Sequence, residues 1–277
     1  MSFSPKEISV YQTQAEILSN QKLTFEYYKL RLHTPHISRE AKPGQFVHLR
    51  IENTYYPLLR RPFSIHRVVG EAIEILYQIV GLGTQILSKK RKGDSLNLIG
   101  PLGKGFWINQ SAKQHILIAG GIGVAPLVFL ARRLREICTF FTAHTSLAFL
   151  GFKTKDKILC QKDLKELGMD VKVATEDGTY SYKGNISDLF EQFIYNSSLK
   201  SFSVYACGPI PMLKKLSQLS HKYLFSCQVS LEEKMGCGIG ACRGCVVRGT
   251  SGYLRVCRDG PVFNADEINW KELSREA

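Results

Sequence analysis

The 277-residue sequence lacks the segments that would export it or anchor it in a bilayer. Residues 1–20 carry charged side chains and no apolar central run, so they do not match a secretory signal. Residues 116–131 have no charged side chain, but they contain glycines and a proline and fall short of the roughly 18 residues that a span needs. We therefore expect a cytoplasmic protein without a membrane span.

Long basic runs are also missing, although Lys and Arg outnumber Asp and Glu by 37 to 24 and the net charge is +13. The basic stretches at residues 60–61, 89–92 and 214–215 are short and scattered. A nucleic-acid partner is therefore not expected. The positive excess is compatible with a solvated basic surface, or with anionic ligands and acidic partners, which a positive potential attracts.

Histidine pairs of the kind that bind metal are absent as well. The seven histidines include no H-x-x-x-H pair and no Cys–His pair, so we expect none of them to ligate a metal or to catalyse. Three isolated cysteines, Cys138, Cys160 and Cys227, are expected to be small buried hydrophobic residues.

Cysteine is, however, concentrated near the end of the chain. Cys237, Cys242 and Cys245 have the spacing C-x4-C-x2-C, and Cys257 follows after eleven intervening residues. Without an export signal, such clustering favours metal over disulfides. The spacing is the plant-type pattern for a [2Fe–2S] cluster, and the intervening glycines can adopt the backbone angles of a loop around it. Zinc is the alternative, but structural zinc more often uses two short cysteine pairs, and only one occurs in this sequence.

The pattern of apolar residues changes twice along the chain. Residues 8–108 contain short strand patterns separated by turn formers, which predicts a small antiparallel barrel or sandwich. From about residue 113, strand patterns alternate with helical ones, which predicts a parallel α/β layer. The rest is rich in glycine and cysteine. We predict an α+β multidomain fold: an antiparallel β-barrel domain at 1–110, an α/β parallel-sheet nucleotide-binding domain at 111–224, and a small cysteine-rich [2Fe–2S] domain at 225–277.

A glycine turn joins the first strand and helix of the central region. Gly120, Gly121 and Gly123 precede the start of the helix at Ala125 and Pro126. Free amides and the positive end of the helix dipole favour a phosphate at such a turn. Pro126 stands where the G-x-G-x-x-G fingerprint has its third glycine, so a simple Rossmann dehydrogenase is not indicated.

Two further motifs are weak alone. Cys207, Gly208 and Pro209 end a later strand and open a helix, at the carboxyl edge where α/β sheets bind ligands. At residues 60–64, the sequence R-R-P-F-S offers an arginine for a diphosphate and, at Ser64, a hydroxyl for a flavin ring edge.

In this order, R-P-F-S, G-G-x-G-x-A-P and C-G-P resemble the motifs of the ferredoxin–NADP reductase superfamily. The C-x4-C-x2-C…C tail narrows the resemblance to the electron transfer subunit of the NAD-dependent, type-B dihydroorotate dehydrogenase, over about residues 8–265. Residues 100–106, 232–235 and 257–263 also match. The resemblance implies three cofactors: FAD in the first domain, NAD in the second and a [2Fe–2S] cluster in the third.

The resemblance also implies roles for individual residues. Arg61, with Gly83 and Thr84, would hold the FAD diphosphate, and Ser64 would lie near the flavin ring. The full set of FAD positions is Arg61, Pro62, Phe63, Ser64, Leu76, Tyr77, Gln78, Gly83 and Thr84. The dinucleotide would be bound by Gly120, Gly121, Gly123, Ala125, Pro126, Gly208 and Pro209, with Cys207 beside the nicotinamide as the catalytic residue. The metal ligands would be Cys237, Cys242, Cys245 and Cys257.

The implied function is that of an oxidoreductase subunit in pyrimidine biosynthesis. An FMN-containing catalytic subunit would oxidise dihydroorotate to orotate, and this chain would pass the electrons through its cluster and FAD to NAD. The two chains would form a heterotetramer. No base for dihydroorotate is evident in this chain, as expected if the substrate site lies in the partner.

Two departures from the family pattern leave alternatives open. Residues 177–184 lack an expected mid-loop glycine, and Arg243-Gly244 is an unusual pair for the cluster loop. A related reductase with the same cofactors could serve a sulfite, sulfide, glutamate-forming or ferredoxin-linked system instead. A zinc-bearing basic protein that binds nucleic acid is the alternative from another class.

Overall fold

The computed structural model of the chain describes residues 9–52, 55–138, 146–197 and 201–273. Of the seven histidines considered above, His144 lies outside these ranges, and the side chain of Cys138 is also outside the description. The first sheet is formed by β1 (Tyr11–Lys22), β2 (Tyr27–His33), β3 (Phe46–Arg50), β4 (Arg61–Ser64), β5 (Arg67–Val69), β6 (Ala72–Gln78) and β7 (Ser95–Leu102). Two helices, α1 (Pro35–Glu40) and α2 (Leu82–Lys89), interrupt these strands.

All strand pairs of the first sheet are antiparallel, in the order β4-β3-β7-β1-β2-β6-β5. The sheet curls, because the edge strand β4 also packs near β6. Alternate residues of each strand fill its interior, among them Ile17, Leu30 and Ile75, which are fully buried. The predicted antiparallel, barrel-like first region is confirmed.

The second region alternates strands and helices. Its strands are β8 (Gln114–Gly120), β9 (Leu147–Phe152), β10 (Asp170–Thr175), β11 (Tyr182–Lys183), β12 (Phe202–Cys207) and β13 (Ser226–Ser230). Its helices are α3 (Val124–Cys138), α4 (Gln161–Glu166), α5 (Ile186–Tyr195) and α6 (Ile210–Tyr223). The tail adds β14 (Val246–Arg248), β15 (Tyr253–Arg255), β16 (Val262–Asn264) and α7 (Trp270–Leu273).

The second sheet has the order β11-β10-β9-β8-β12-β13-β16 and is parallel except for its last pair. Both faces are covered. Ile116 and Ile118 of β8 belong to one apolar core, whereas Leu117 and Ala119 belong to the other. This explains why the β8 sequence is a continuous apolar run rather than an alternating one. The predicted parallel α/β layer is confirmed.

The cysteine-rich tail packs onto the second region instead of standing apart. β13 and β16 are strands of the second sheet, so the predicted boundary at residue 225 falls just before one of its strands. Cys245 and Cys257 are buried in the same apolar core as residues of β8 and α6. The short hairpin β14–β15 lies between them in sequence. Among the described residues, no helix is both long and apolar enough to cross a bilayer.

Candidate functional site

Two cavities and a cysteine loop form the candidate site. The first, here called the barrel cavity, has a volume of about 760 Å³ and lies between the first sheet and the tail. The second, the sheet cavity, has a volume of about 790 Å³ and lies at the carboxyl edge of the parallel sheet. Both volumes fall within the range of ordinary ligand pockets.

The barrel cavity is lined by most of the residues predicted to contact FAD. These are Arg61, Pro62, Phe63, Ser64, Leu76, Tyr77, Gln78 and Thr84. The structure brings them together because β4 and β6, the strands that carry most of them, approach each other as the sheet curls. Tyr77 is anchored on its far side, where its hydroxyl donates to Asn20 Oδ1 at 3.1 Å.

Gly83 does not line the barrel cavity but shapes its wall. A Cβ at this position would lie 2.8 Å from Arg61 Nε, so the absence of a side chain lets the guanidinium lie against the first turn of α2. Thr84 fixes that turn, since its Oγ1 accepts the N–H groups of Val80 (2.9 Å) and Gly81 (3.2 Å). A guanidinium beside the N-terminus of a helix is a favourable arrangement for a diphosphate.

The sheet cavity is lined in part by the glycine turns at the ends of β8 and β12. Gly120, Gly121 and Gly123 contribute from the first turn, and Gly208 and Pro209 from the second. The two turns are in close contact, because a Cβ on Gly208 would lie 2.8 Å from the Gly120 nitrogen. Gly121 has a φ of +55° and open space on the side where a Cβ would point. Such bare backbone can approach a pyrophosphate closely.

Three predicted residues contribute less directly. Ala125 lines the barrel cavity, so the start of α3 serves that cavity rather than the sheet cavity. Pro126 is buried in the first turn of α3 and lines neither of them. Cys207 is fully buried behind Gly208 and also lies off both walls. Burial raises the pKa of the Cys207 thiol well above its usual range, so it is a neutral thiol at physiological pH.

The two cavities share wall residues. Gln78, Ile122 and Glu232 line both of them, which makes the cavities adjacent. Glu232 is open to the cavities, but the surrounding protein desolvates its carboxyl and raises the pKa. Glu232 begins the stretch 232–235 that matches the family, and its position just after β13, at the carboxyl edge of a parallel strand, is the sequence signal for a place on the cavity wall.

Gln78 is held in place by a pair of charged residues that the sequence analysis also missed. Its Nε2 donates to a Glu26 carboxylate oxygen at 2.6 Å, and Lys157 Nζ lies 2.9 Å from the other oxygen. The hydrogen bond from Lys157 lowers the pKa of Glu26. Residues from the barrel and from the loop after β9 thus meet at the sheet cavity. No local sequence pattern predicts this contact.

The four tail cysteines are not disulfide-bonded and form an outer and an inner pair. Cys237 is half-buried and Cys242 is exposed, whereas Cys245 and Cys257 are buried. Among the described residues, no three His, Cys, Asp or Glu side chains converge as ligands of a single metal ion. A [2Fe–2S] cluster has four thiolates divided between two irons, so its ligands do not need such a convergence.

Backbone amides surround the cysteine sulfurs. The N–H groups of Cys242, Gly244 and Cys257 each point to a cysteine sulfur at 3.4 Å. Although burial raises the pKa of Cys237, amides from Cys242, Ile239 and Ala241 outweigh it and lower the value to about 6. Since the thiolate is the form that binds iron, the environment of Cys237 fits a cluster. Burial, in contrast, raises the pKa of Cys257 to about 12.

Left-handed backbone conformations make the loop possible. Gly238 and Gly240 have φ angles of +72° and +84°, and Arg243 also takes a positive φ of +56°. Arg255 ties the two ends together: it forms an ion pair with Asp259 at 3.0 Å and donates to the Gly240 carbonyl at 3.4 Å. The unusual Arg243-Gly244 pair is therefore accommodated in the loop.

The other departure from the family pattern is accommodated in a similar way. In the loop of residues 177–184, Ser181 takes a φ of +54°, a conformation that glycine adopts more readily. Asp177 Oδ1 accepts the backbone N–H of Thr179 at 3.0 Å and its hydroxyl at 2.7 Å. This side-chain turn shapes the loop where a glycine was expected.

Comparisons with known proteins agree with this geometry. Residues 232–269 match the model of the iron–sulfur cluster binding domain of dihydroorotate dehydrogenase B, and residues 117–218 match that of the oxidoreductase NAD-binding domain. The electron transfer subunit of dihydroorotate dehydrogenase B (NAD(+)) from Desulforamulus reducens is 38% identical over 263 residues, which cover 93% of this chain and 98% of that protein. The protein of the same name from Caldanaerobacter subterraneus is 40% identical over 262 residues, with the same two coverages.

Solved structures share the fold. An NADH-dependent reduced ferredoxin-NADP oxidoreductase, described in connection with flavin-based electron bifurcation, is 28% identical, with a TM-score of 0.82. The match covers 94% of this chain and 91% of that one. A ferredoxin NADP+ reductase from Neisseria gonorrhoeae with bound FAD and NADP is 19% identical, with a TM-score of 0.65 over 76% of this chain and 91% of that chain. The second likeness concerns the fold alone.

Proposed function

The chain belongs to the family of dihydroorotate dehydrogenase B (NAD(+)) electron transfer subunits, and we propose that its two cavities and its cysteine loop are the cofactor sites of that activity. It is an oxidoreductase subunit that moves electrons between NAD and a catalytic partner subunit, with FAD and a [2Fe–2S] cluster as cofactors. The partner, which carries FMN, oxidises dihydroorotate to orotate. We further propose a cytoplasmic heterotetramer of the two chains.

The barrel cavity is the proposed FAD site. Arg61 supplies a guanidinium that can bind the diphosphate through charge-assisted hydrogen bonds, and the first turn of α2 adds free amides. Ser64 supplies a hydroxyl that can bond an edge of the flavin ring. Bound FAD supplies the exchange between the electron pair of a nicotinamide hydride and the single electrons of an iron–sulfur cluster.

The sheet cavity is the proposed NAD site. Gly120, Gly121 and Gly123 expose backbone to the pyrophosphate, and Gly208 and Pro209 extend the same surface. Cys207 is a neutral thiol behind Gly208, and its carbonyl group lies against Gly123 of the first glycine turn. We propose that Cys207 is the residue beside the nicotinamide.

The tail cysteines are the proposed cluster ligands, two for each iron. Amides directed at the sulfurs stabilise the thiolate form that iron requires. The proposed division of the chain is a FAD domain at 1–110, an NAD domain at 111–224 and a cluster domain at 225–277. The observation that carries the proposal is the wall shared by the two cavities, Gln78, Ile122 and Glu232, because hydride transfer requires the two rings to meet.

Cofactor analysis of the protein, produced anaerobically with its catalytic partner, tests the proposal. We expect one FAD, two irons and two sulfides per chain, as the [2Fe–2S] spacing requires, and NAD-dependent oxidation of dihydroorotate only when both subunits are present. Colourless protein without flavin or iron would contradict it. Full cofactor content with electron delivery to another acceptor, and none from dihydroorotate, would favour the related reductases.

A further inference from the structure

His48 is a buried polar side chain that connects the barrel to the cysteine loop. It lies in the middle of β3, opposite Pro62 of β4, and has no exposed surface. Its ring Nδ1 lies 3.3 Å from the carbonyl oxygen of Cys237, a residue 189 positions away in the sequence. Gly238 packs on the same ring, since a Cβ there would lie 3.0 Å from the His48 Cγ.

The alternation of β3 explains why the ring reaches the tail. Val47 and Leu49 belong to the core of the barrel, whereas Phe46 belongs to the core that contains the inner cysteines. Because successive side chains of a strand point to opposite faces, His48 shares the face of Phe46. The backbone of His48 is held by Arg60, a residue that lines the barrel cavity and donates to the His48 carbonyl at 3.4 Å.

The hydrogen-bonding state of the ring follows from its surroundings. A carbonyl oxygen can only accept, so Nδ1 carries the hydrogen of this bond. The other ring nitrogen, Nε2, is buried without a hydrogen-bond partner in the part of the chain that the structure describes. An unpaired buried polar atom destabilises the folded chain. An apolar residue, as at the neighbouring positions, would avoid this cost, so stability alone does not account for a histidine.

We propose that His48 is a positioning residue for electron transfer, which holds the first cluster cysteine at a fixed place relative to the flavin-binding strand β4. This inference rests on the proposed function, because it assumes a cluster at the tail cysteines and FAD in the barrel cavity. The hydrogen bond to the Cys237 carbonyl is the link: its donor is on the strand beside β4, and its acceptor is on a residue proposed to bind iron. Loss of this bond would let the loop shift and change both the environment of the cluster and its distance from the flavin.

Two amide variants separate this role from a purely structural one. His48→Asn keeps an N–H donor near the position of Nδ1, whereas His48→Gln moves the same amide out to the position of Nε2. In holoenzyme with its partner, we expect NADH to reduce the flavin at the wild-type rate in both. We expect cluster reduction to slow about 10-fold in the Gln variant, as for other partners of metal ligands, and to recover in the Asn variant. The electron paramagnetic resonance spectrum of the reduced cluster should shift only in the Gln variant.

A third variant, His48→Leu, provides the same test if the Gln variant does not fold. It removes the unpaired polar atom, suits the apolar neighbours in β3, and should reproduce the slow cluster reduction of the Gln variant. His115→Gln is the matched control, since His115 is also buried but its ring contacts the Tyr205 hydroxyl, at 3.2 Å, in the second sheet. Its cluster spectrum should match that of wild type.

The outcomes distinguish this inference from the proposed function. If the wild-type protein contains neither iron nor flavin, the proposed function itself is wrong. If the wild type is fully loaded and both the Gln and Leu variants keep its cluster spectrum and reduction rate, the positioning role of His48 is wrong. An Asn variant as slow as the Gln variant would likewise contradict it, because the donor at Nδ1 would then be irrelevant.

Discussion

The barrel cavity and the sheet cavity are nearly equal in volume and share wall residues, but they present different groups to a ligand. The first presents side chains, such as Arg61, Ser64 and Thr84, on curled antiparallel strands and the helix that follows. The second presents backbone, at Gly120, Gly121 and Gly208, where parallel strands end. Ligand binding in the first cavity can therefore be weakened by removing one side-chain functional group at a time. Recognition in the second is lost when a side chain occupies the space of the ligand or of the neighbouring turn.

The largest effect is expected from Gly123→Ala, which crowds the sheet cavity. The added Cβ would lie 2.6 Å from the Cys207 carbonyl carbon and 2.8 Å from the Gly208 nitrogen, and backbone cannot yield as a flexible side chain can. Displacing the two turns by about 1 Å should lower kcat/KM for NADH on the order of 100-fold. FAD content and chemical reduction of the cluster should stay at wild-type levels. An equal loss of FAD would show that the two cavities do not bind their ligands independently.

The next effect is expected from Arg61→Ala, which removes a functional group from the barrel cavity. A charge-assisted hydrogen bond contributes about 1.5–3 kcal/mol, so FAD affinity should fall roughly 30-fold. Arg61→Lys keeps the charge but not the planar guanidinium, so its FAD affinity should lie between those of wild type and the Ala variant. FAD release measured by fluorescence tests both variants. Tight FAD binding in the Ala variant would show that the diphosphate is held elsewhere.

A smaller effect is expected from Glu232→Gln, at the shared wall. The carboxylate can accept a hydrogen bond from a nicotinamide amide, and a neutral acceptor is weaker, so flavin reduction by NADH should slow about 10-fold. The raised pKa of Glu232 means that the folded state favours its protonated form. Ionisation therefore costs stability as the pH rises above the ordinary carboxyl value. The Gln variant should be more stable than wild type at pH 8, and this advantage should disappear at pH 4.

Exposed Glu272 lines neither cavity and provides the control for that experiment. Glu272→Gln should leave the rate of flavin reduction unchanged. If Glu232→Gln behaves in the same way, the wall between the cavities has no part in hydride transfer.

The smallest expected effect is on the pH dependence of stability, and it concerns His66, which is buried beside the start of α3. Its Nδ1 donates to the carbonyl of Ala125, a residue of the barrel cavity, at 2.9 Å, and burial lowers its pKa from 6.5 to about 4. The unfolded chain therefore takes up the proton first, and stability is lost as the pH falls from 6.5 towards 4. Between pH 7.5 and 5.5 the loss should be about 1 kcal/mol.

His66→Asn keeps a donor near Nδ1 but does not titrate, so its melting temperature should fall by roughly 2 °C less than that of wild type over this interval. Parallel pH profiles for wild type and His66→Asn would show that the pKa of His66 is the same in the folded and the unfolded chain.

Much of the architecture could be predicted because its signals are local. The apolar run at residues 116–119 followed by glycines is β8 and the turn before α3, and the helical pattern at residues 125–137 is α3. The barrel-like sheet followed from short alternating strands. The role of Lys157 could not be predicted in this way. Lys157 acts through Glu26, which is far away in the sequence, and periodicity within a strand or helix carries no information about such a partner.

The sequence by itself determined the chemistry available to this protein: four cysteines at the spacing of a [2Fe–2S] cluster, glycine turns after buried strands, and an arginine next to a stiffening proline. Tertiary structure decided how these parts meet. Only the curl of the first sheet brings β4 beside β6, only the carboxyl edge of the second sheet brings Glu232 to the same wall as Gln78, and only the packing of the tail brings Cys237 to His48. The physical reason is that residue spacing fixes which groups can bind a ligand, whereas the distances between redox groups depend on contacts between segments that are remote in the chain.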